Sequence, residues 1–281
     1  MRILVTGGAG FIGSEIVRAL FQHDPLVIDT KTGTDARDYF RRSADYFDAV
    51  VHCAAQVGGR RVIDWTPIRH AENLEIDAAL FQWAVRARPG RVVYFSSSCA
   101  YPAELGHAGR TLHENDIDLK NPRWPDELYG WAKLTGELLA ATTRAAGVPV
   151  TVVRPFSVYG PGMNDGFAVR GFLDQAQRRA DPIVIWGDDQ QTRDYIHVSD
   201  VARAVAAIIE RDIEGPVNLG TGYQTSLEKL ARVITADYGP QIKVDPGMPA
   251  GIKRLVADAT RLREFCPPAV GLEDGLAGMT S

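Results

Sequence analysis

The sequence predicts an α/β protein: a doubly wound, mostly parallel sheet with a smaller C-terminal α/β lobe. Three observations carry this. Short β-branched runs alternate with helical patterns through the first half, the mark of βαβ units. Those runs are apolar throughout, as in Ile3-Leu4-Val5, Val92-Val93-Tyr94-Phe95 and Val150 to Val153, which is the pattern of strands covered on both faces. The length, 281 residues, leaves room for roughly two domains at about 150 residues each and for a sizeable core.

The elements follow in order. Strands are expected at Arg2–Thr6, Leu26–Asp29, Ala49–Cys53, Arg91–Ser96 and Val148–Arg154, with helices near 12–22, 70–87, 126–146 and 199–211. The run from Tyr39 to Phe47, with Arg41, Arg42 and Asp45, reads as a solvated helix face. After Gly160 the texture changes, with Pro161, Gly162, Gly166 and Gly171 close together. The amphipathic run Val198–Ile209 and the strand-like Pro216–Leu219 return to the first pattern. The expected division is therefore residues 1–160 plus about 191–221 in one domain, and about 161–190 plus 222–281 in a second lobe.

Hydrophobic residues at 45% and charged residues at 23% are ordinary for a globular chain. Lys+Arg 31 against Asp+Glu 35, a net charge of −4, argues against nucleic acid or a membrane surface as partner. Cys53, Cys99 and Cys266 are too scattered for a disulfide framework or a closed zinc site. A reducing, cytoplasmic setting is expected, with no signal peptide. No apolar run approaches the ~18 residues of a membrane span. His52, His107 and His113 show no ligand spacing, so no metal is expected, and His197 is expected to pack structurally.

Residues Thr6-Gly7-Gly8-Ala9-Gly10-Phe11-Ile12-Gly13 follow a strand and open a helix. Glycines at 7, 10 and 13 allow a tight turn and close approach of the backbone to a pyrophosphate, which the helix N-terminus then favours. Asp29 ends the second strand. An acid there accepts hydrogen bonds from ribose hydroxyls and repels a 2′-phosphate, which favours NAD over NADP. The plainer reading of Asp29 is a turn cap, and Lys31 and Arg37 stand near enough in sequence to accept a phosphate.

Tyr129 and Lys133 lie four apart in a helical stretch, on one face. An ammonium near a phenol favours the phenolate, so such a tyrosine can move a proton near neutral pH. Ser96-Ser97-Ser98-Cys99 follow a buried strand, which places hydroxyls at the carboxyl end where ligands bind in open α/β sheets.

Together these elements resemble the extended short-chain dehydrogenase/reductase family, the NAD-dependent nucleotide-sugar epimerases and dehydratases, over nearly the whole chain. The resemblance implies a Rossmann-type sheet. The loop 6–13 looks like the family's cofactor loop, with Gly7, Gly10, Phe11, Ile12 and Gly13 as contacts. Asp35-Ala36-Arg37-Asp38 resembles the adenine-contacting segment, and His52-Cys53-Ala54-Ala55 the strand end beside the nicotinamide. Asn73 resembles the family's helix asparagine. The segments SSSCAYP (96–102), YGWAK (129–133), RPFSVYGP (154–161) and QTRDYIHVSD (191–200) fall in family order. By this likeness Ser97 is the catalytic hydroxyl, Tyr129 the base and Lys133 its partner, while Pro155 and Val158 join Ala54 and Ala55 against the cofactor. Arg193 and Arg254 match arginines that bind the nucleotide diphosphate, and Trp186 a residue that stacks on the base. Val57, Gly58, Ser98 and Ser157 are implied on the substrate side. A homodimer through the helices around 71–87 and 126–146 is a family expectation.

Departures from the pattern matter. Only five residues separate Asp29 from Asp35, where the family carries another helix–strand piece, so the sheet should be one strand short. Cys99 stands where 4,6-dehydratases and decarboxylases of the family carry a glutamate, and Ser157 where RxxNVYGP has asparagine. The segment around Cys99, with Val57-Gly58-Gly59 and Trp186 to Arg193, resembles the branch of GDP-mannose 3,5-epimerase and GDP-fucose synthase. There a cysteine moves a proton beside a keto group, but no His or Lys lies between Tyr159 and Phe167 to act as its partner. The expected activity is epimerisation of a nucleoside-diphosphate sugar through a transient keto-sugar, with inversion at C4. The alternatives are a keto-sugar reductase or dehydrogenase, or a C3/C5 epimerase or dehydratase using Cys99 as acid/base.

Overall fold

The computed structural model describes residues 1–188 and 190–279. Strand β1 (Ile3–Thr6) runs through the glycine turn into helix α1 (Phe11–Ala19), and β2 (Leu26–Ile28) leads into α2 (Ala36–Arg42). Then come β3 (Ala49–His52), α3 (Arg60–Trp65), α4 (Ala71–Ala87), β4 (Val92–Phe95), α5 (Ala103–His107), α6 (Glu127–Ala145) and β5 (Val150–Pro155). Strand β6 (Ser157–Tyr159), α7 (Ala168–Gln177), β7 (Ile183–Trp186), β8 (Thr192–Arg193) and β9 (Tyr195–His197) precede α8 (Val198–Glu210) and β10 (Val217–Leu219). The chain closes with β11 (Thr225–Ser226), α9 (Leu227–Ile234), β12 (Ile242–Asp245), β13 (Arg254–Leu255), α10 (Thr260–Phe265) and α11 (Leu272–Ala277).

The main sheet has the order β10-β5-β4-β3-β1-β2, and every pairing in it is parallel. Successive side chains of a strand point to opposite faces, and both faces are apolar. Ile3, Val5, Val51, Val93 and Val153 pack under α1, α8 and α10. Leu4, Val50, Val92, Tyr94 and Val152 pack under α2, α4 and α6. This is why the strands read as unbroken apolar runs. Beyond β2, an edge strand whose Leu26 is exposed, the described residues hold no further strand. A single short turn joins β2 to α2, so the expected shortening of the sheet is what the chain forms.

The run from Tyr39 to Phe47 needs correction. Arg41, Arg42 and Asp45 are exposed, but Phe40 and Phe47 are wholly buried against Trp83. With the missing helix–strand piece gone, these two rings close the sheet's lower face.

Outside the main sheet, β7 and β12 with α7 and α9 build a smaller body. Strand β7 pairs with β12, β8 with β11 and β13, and β6 with β9. An apolar cluster of Val169, Phe172, Leu173, Ile183, Ile185, Leu230 and Ile234 fills it. His197 caps α8, its ring nitrogen taking the Ser199 amide. Among the described residues no helix is long and apolar enough to cross a membrane.

Phe40→Ala should cost about 3–5 kcal/mol, the usual penalty for emptying a buried aromatic position. A urea midpoint that falls with an unchanged slope would record it.

Candidate active site

The strand order reverses between β2-β1 and β3: β1 is followed on one side by β2 and on the other by β3. A crevice opens there beyond the strand ends, where α/β sheets bind ligands. It widens into a cleft of about 920 Å³ between the main sheet and the smaller body.

One end of the cleft is the glycine turn. A Cβ on Gly13 would lie 2.1 Å from the Gly7 carbonyl oxygen, and one on Gly7, whose φ is +70°, would lie 2.6 Å from the Ala54 nitrogen. Only glycine fits either position. Helix α1 starts at Gly10 with no side-chain cap, so its first amides are left to a ligand. Asp29 accepts from the Ala9 amide at 3.0 Å and the Lys31 amide at 2.8 Å. It is thus a turn cap, and it lines the cleft. Asp35 caps α2 and is forked by Arg37, whose guanidinium holds the carboxyl below its usual range.

The other end holds the reactive groups. Gly7, Gly10, Phe11, Ile12, Gly13, Asp29, Asp35, Ala36, Ala54, Ala55, Val57, Gly58, Ser97, Ser98, Cys99, Tyr129, Lys133, Pro155, Ser157, Val158, Trp186 and Arg193 all border the cleft. Ser97 comes from the end of β4, where its oxygen accepts the Cys99 amide at 3.1 Å. It lies against the phenol of Tyr129 on α6, and burial raises that phenol's pKa. Lys133, one turn on, is buried with its ammonium 5.3 Å from the Tyr94 ring centre.

Two expected site residues lie elsewhere. Arg254 does not reach the cleft: its guanidinium is spent on the Gly109 carbonyl and the Thr111 hydroxyl. Asn73 stands behind the wall, where its amide group bonds both backbone groups of Gln56, at 2.7 and 3.0 Å. It fixes the segment after β3 rather than facing a ligand. Asp189, within the stretch Trp186 to Arg193, lies outside the described residues.

Cys99 has surroundings that its sequence neighbours do not reveal. Burial and the adjoining Asp126 carboxylate push its thiol up to about 12. Asp126 stands at the start of α6 and leaves its own helix uncapped, because Arg60 takes both its oxygens at 3.0 and 3.1 Å. Arg193 is a half-buried cation with no carboxylate within 4 Å among the described residues; it donates to the Thr192 and Ile252 carbonyls and to Gln191. Among the described residues no group of three or more His, Cys, Asp or Glu is placed to hold a metal ion.

Sequence reading missed Asp126, Arg60 and His70. The His70 ring sits 4.8 Å from that of Tyr129, and burial lowers its pKa, so it packs there as a neutral ring. No local pattern marks the first two, since they meet across 66 residues.

A parallel sheet with a glycine turn at its reversal and a serine, tyrosine and lysine at its strand ends defines a dinucleotide-dependent α/β enzyme. More narrowly, the chain belongs to the NAD dependent epimerase/dehydratase family, whose sequence model matches residues 3–220. Its cofactor is NAD, and the glycine cradle and the capped Asp29 fit that group. A dTDP-4-dehydro-6-deoxy-D-allose reductase of Streptomyces bikiniensis is 32% identical over 97% of this chain and 94% of the relative. The structure of MoeE5 in complex with UDP-glucose and NAD has a TM-score of 0.82 at 28% identity, covering 100% of this chain and 97% of the other. The UDP-glucose 4-epimerase of Thermotoga maritima with UDP-glucose has a TM-score of 0.81 at 26% identity, with coverage of 100% and 97%.

Gly13→Ala should weaken NAD binding by about five- to 150-fold, because overpacking against the Gly7 carbonyl costs about 1–3 kcal/mol. Calorimetric titration with NAD measures it.

Proposed function

We propose that the protein is an NAD-dependent 4-epimerase of a nucleoside-diphosphate hexose. The observation that carries this is the make-up of the cleft wall. Ser97, Tyr129 and Lys133 supply what oxidation at a hydroxyl-bearing carbon needs, and position 99 offers a protonated thiol where a carboxylate would serve dehydration. NAD, when bound, takes up a hydride from carbon and returns it. Tyr129 accepts the proton of the C4 hydroxyl as the C–H bond breaks, and Ser97 holds that oxygen by a hydrogen bond and relays the proton. Lys133 would hold the nicotinamide ribose and favour the phenolate. The keto-sugar turns over in the cleft, Tyr129 gives the proton back, and the hydroxyl re-forms with the opposite configuration.

A thiol that holds its proton up to about 12 is a weak base at neutral pH, which weighs against proton removal at C3 or C5. On the cofactor side Asp29 would meet the adenosine ribose and Asp35 and Ala36 the adenine. Ala54, Ala55, Pro155 and Val158 would line the nicotinamide. On the substrate side Arg193 would pair with the diphosphate, a role suited to its planar fork, with Trp186 stacked on the base. Val57, Gly58, Ser98 and Ser157 would meet the sugar. The same reading divides the chain into a cofactor domain, residues 1–160 and about 191–221, and a substrate lobe from the rest. It also makes α4 and α6 a homodimer face, which the exposed Leu74, Val85 and Leu138 support.

A second reading, reduction of a 4-keto sugar, is favoured by the name of the Streptomyces relative. It uses the same three residues with net consumption of NADH.

The test is to identify the nucleotide released on denaturation and to incubate the native protein with UDP-, GDP- and dTDP-hexoses in deuterated water, followed by NMR. The expected result is NAD, a C4-inverted product and no deuterium in it. Deuterium at C3 or C5 would overturn the reading, and stoichiometric loss of NADH would favour the reductase. Tyr129→Phe should slow turnover by about 10²–10⁴-fold while NAD stays bound.

A further inference from the structure

Behind the cleft lies a chain of buried polar groups that the mechanism above does not use. Asp77, 1% exposed, projects from α4 into the seam between the sheet and α6. Its Oδ2 accepts the Tyr94 hydroxyl at 2.6 Å, and its Oδ1 lies 3.3 Å from His52 Nε2. The other nitrogen of that ring, Nδ1, is 2.8 Å from the Thr6 hydroxyl. Gly136 of α6 makes room for the contact, since a Cβ there would meet both the Tyr94 hydroxyl and Asp77.

The buried charges of this half of the molecule can be paired off. Glu137 is forked by Arg154 at 2.7 and 2.9 Å, Asp126 by Arg60, and Asp200 meets Arg203 at 2.6 Å. Asp194 is satisfied by Thr221 and by backbone amides. Two charges are left over, the Lys133 ammonium and the Asp77 carboxylate, both at 2% exposure or less and both against Tyr94. An isolated buried charge is costly, and an opposite charge close by offsets much of that cost.

We propose that Asp77 is a positioning residue for the catalytic pair: it is the counter-charge to Lys133, both set against Tyr94, and it is anchored to the sheet through Tyr94, His52 and Thr6. This rests on the reading of Tyr129 and Lys133 given above and adds to it a residue that touches neither substrate nor cofactor. Its consequence is a restraint on Tyr129. The groups that bear on the phenol are Ser97 and Cys99 beyond β4, Tyr94 on β4, His70 before α4, and Asp77 from α4. Asp77 faces His52, Tyr94 and Lys133, and the ammonium is the strongest influence holding its carboxyl below the usual range against burial. The carboxylate in turn opposes loss of the Tyr129 proton. Removing its charge therefore makes the phenol a stronger acid.

The experiment is NMR of protein carrying ¹³Cζ-labelled tyrosine and saturated with NAD, with the Tyr129 signal identified by its loss in Tyr129→Phe. In Asp77→Asn, which keeps an acceptor for Tyr94, Tyr129 should titrate at lower pH, with about a tenfold change in its proton affinity. Tyr94→Phe, which loosens Asp77 but keeps its charge, should change it severalfold less and serves if Asp77→Asn does not fold. In Lys133→Met, the labelled carboxyl of Asp77 should titrate at higher pH than in the parent. A Tyr129 titration that Asp77→Asn leaves in place, or an Asp77 titration indifferent to Lys133→Met, would overturn the proposal. Neither readout depends on turnover. If Tyr129→Phe stays fully active, the functional reading fails while the electrostatic coupling is judged on its own.

Discussion

Everything at this site depends on one backbone contact, the approach of the glycine turn to the start of α1 at the reversal of strand order. With the Gly7 carbonyl 2.1 Å from where a Gly13 Cβ would be, the chain brings its uncapped helix amides to the mouth of the crevice between β1 and β3. Each other contributor is then placed by being the continuation of a strand in the same sheet. Ala54 follows β3, Ser97 follows β4, Pro155 ends β5, and all emerge on one edge because the pairings are parallel throughout. The apolar faces above and below serve to keep that edge in register.

A second constraint is electrostatic. Two buried ion pairs beside the cleft are matched across elements. Glu137 and Arg154 join α6 to β5, with Ser96 donating to the same carboxylate at 2.6 Å. Asp126 and Arg60 join the start of α6 to α3. Breaking such a pair strands a charge and costs about 3–5 kcal/mol, so these matches tie α6 to the elements around it.

Cys99 shows how such pairing changes what a residue can do. Read along the chain, a cysteine after a serine run beside a cofactor site suggests a base. In the fold, burial first and the neighbouring carboxylate of Asp126 second disfavour a thiolate and hold the proton in place. The same side chain in a cationic setting would be reactive.

The sequence by itself determined the sheet and the cofactor end of the cleft. The apolar runs, the glycine spacing, Asp29 and the four-residue step from Tyr129 to Lys133 are local patterns, and local geometry decides strands, tight turns and helix faces. Even the short link from Asp29 to Asp35 told that a strand was missing. What only the tertiary structure decided lies across long separations. Phe40 and Phe47 sit in a run of charges, yet they are core because the shortened sheet leaves that face to them. Arg254 carries a family likeness but turns to Gly109 and Thr111, a choice made by neighbours 145 and 143 residues away. Asp77 is an acid on the buried face of a helix, and its partners come from two strands and a second helix. Pairings of this kind are set by packing and by the need to neutralise buried charge, neither of which has a period along the chain.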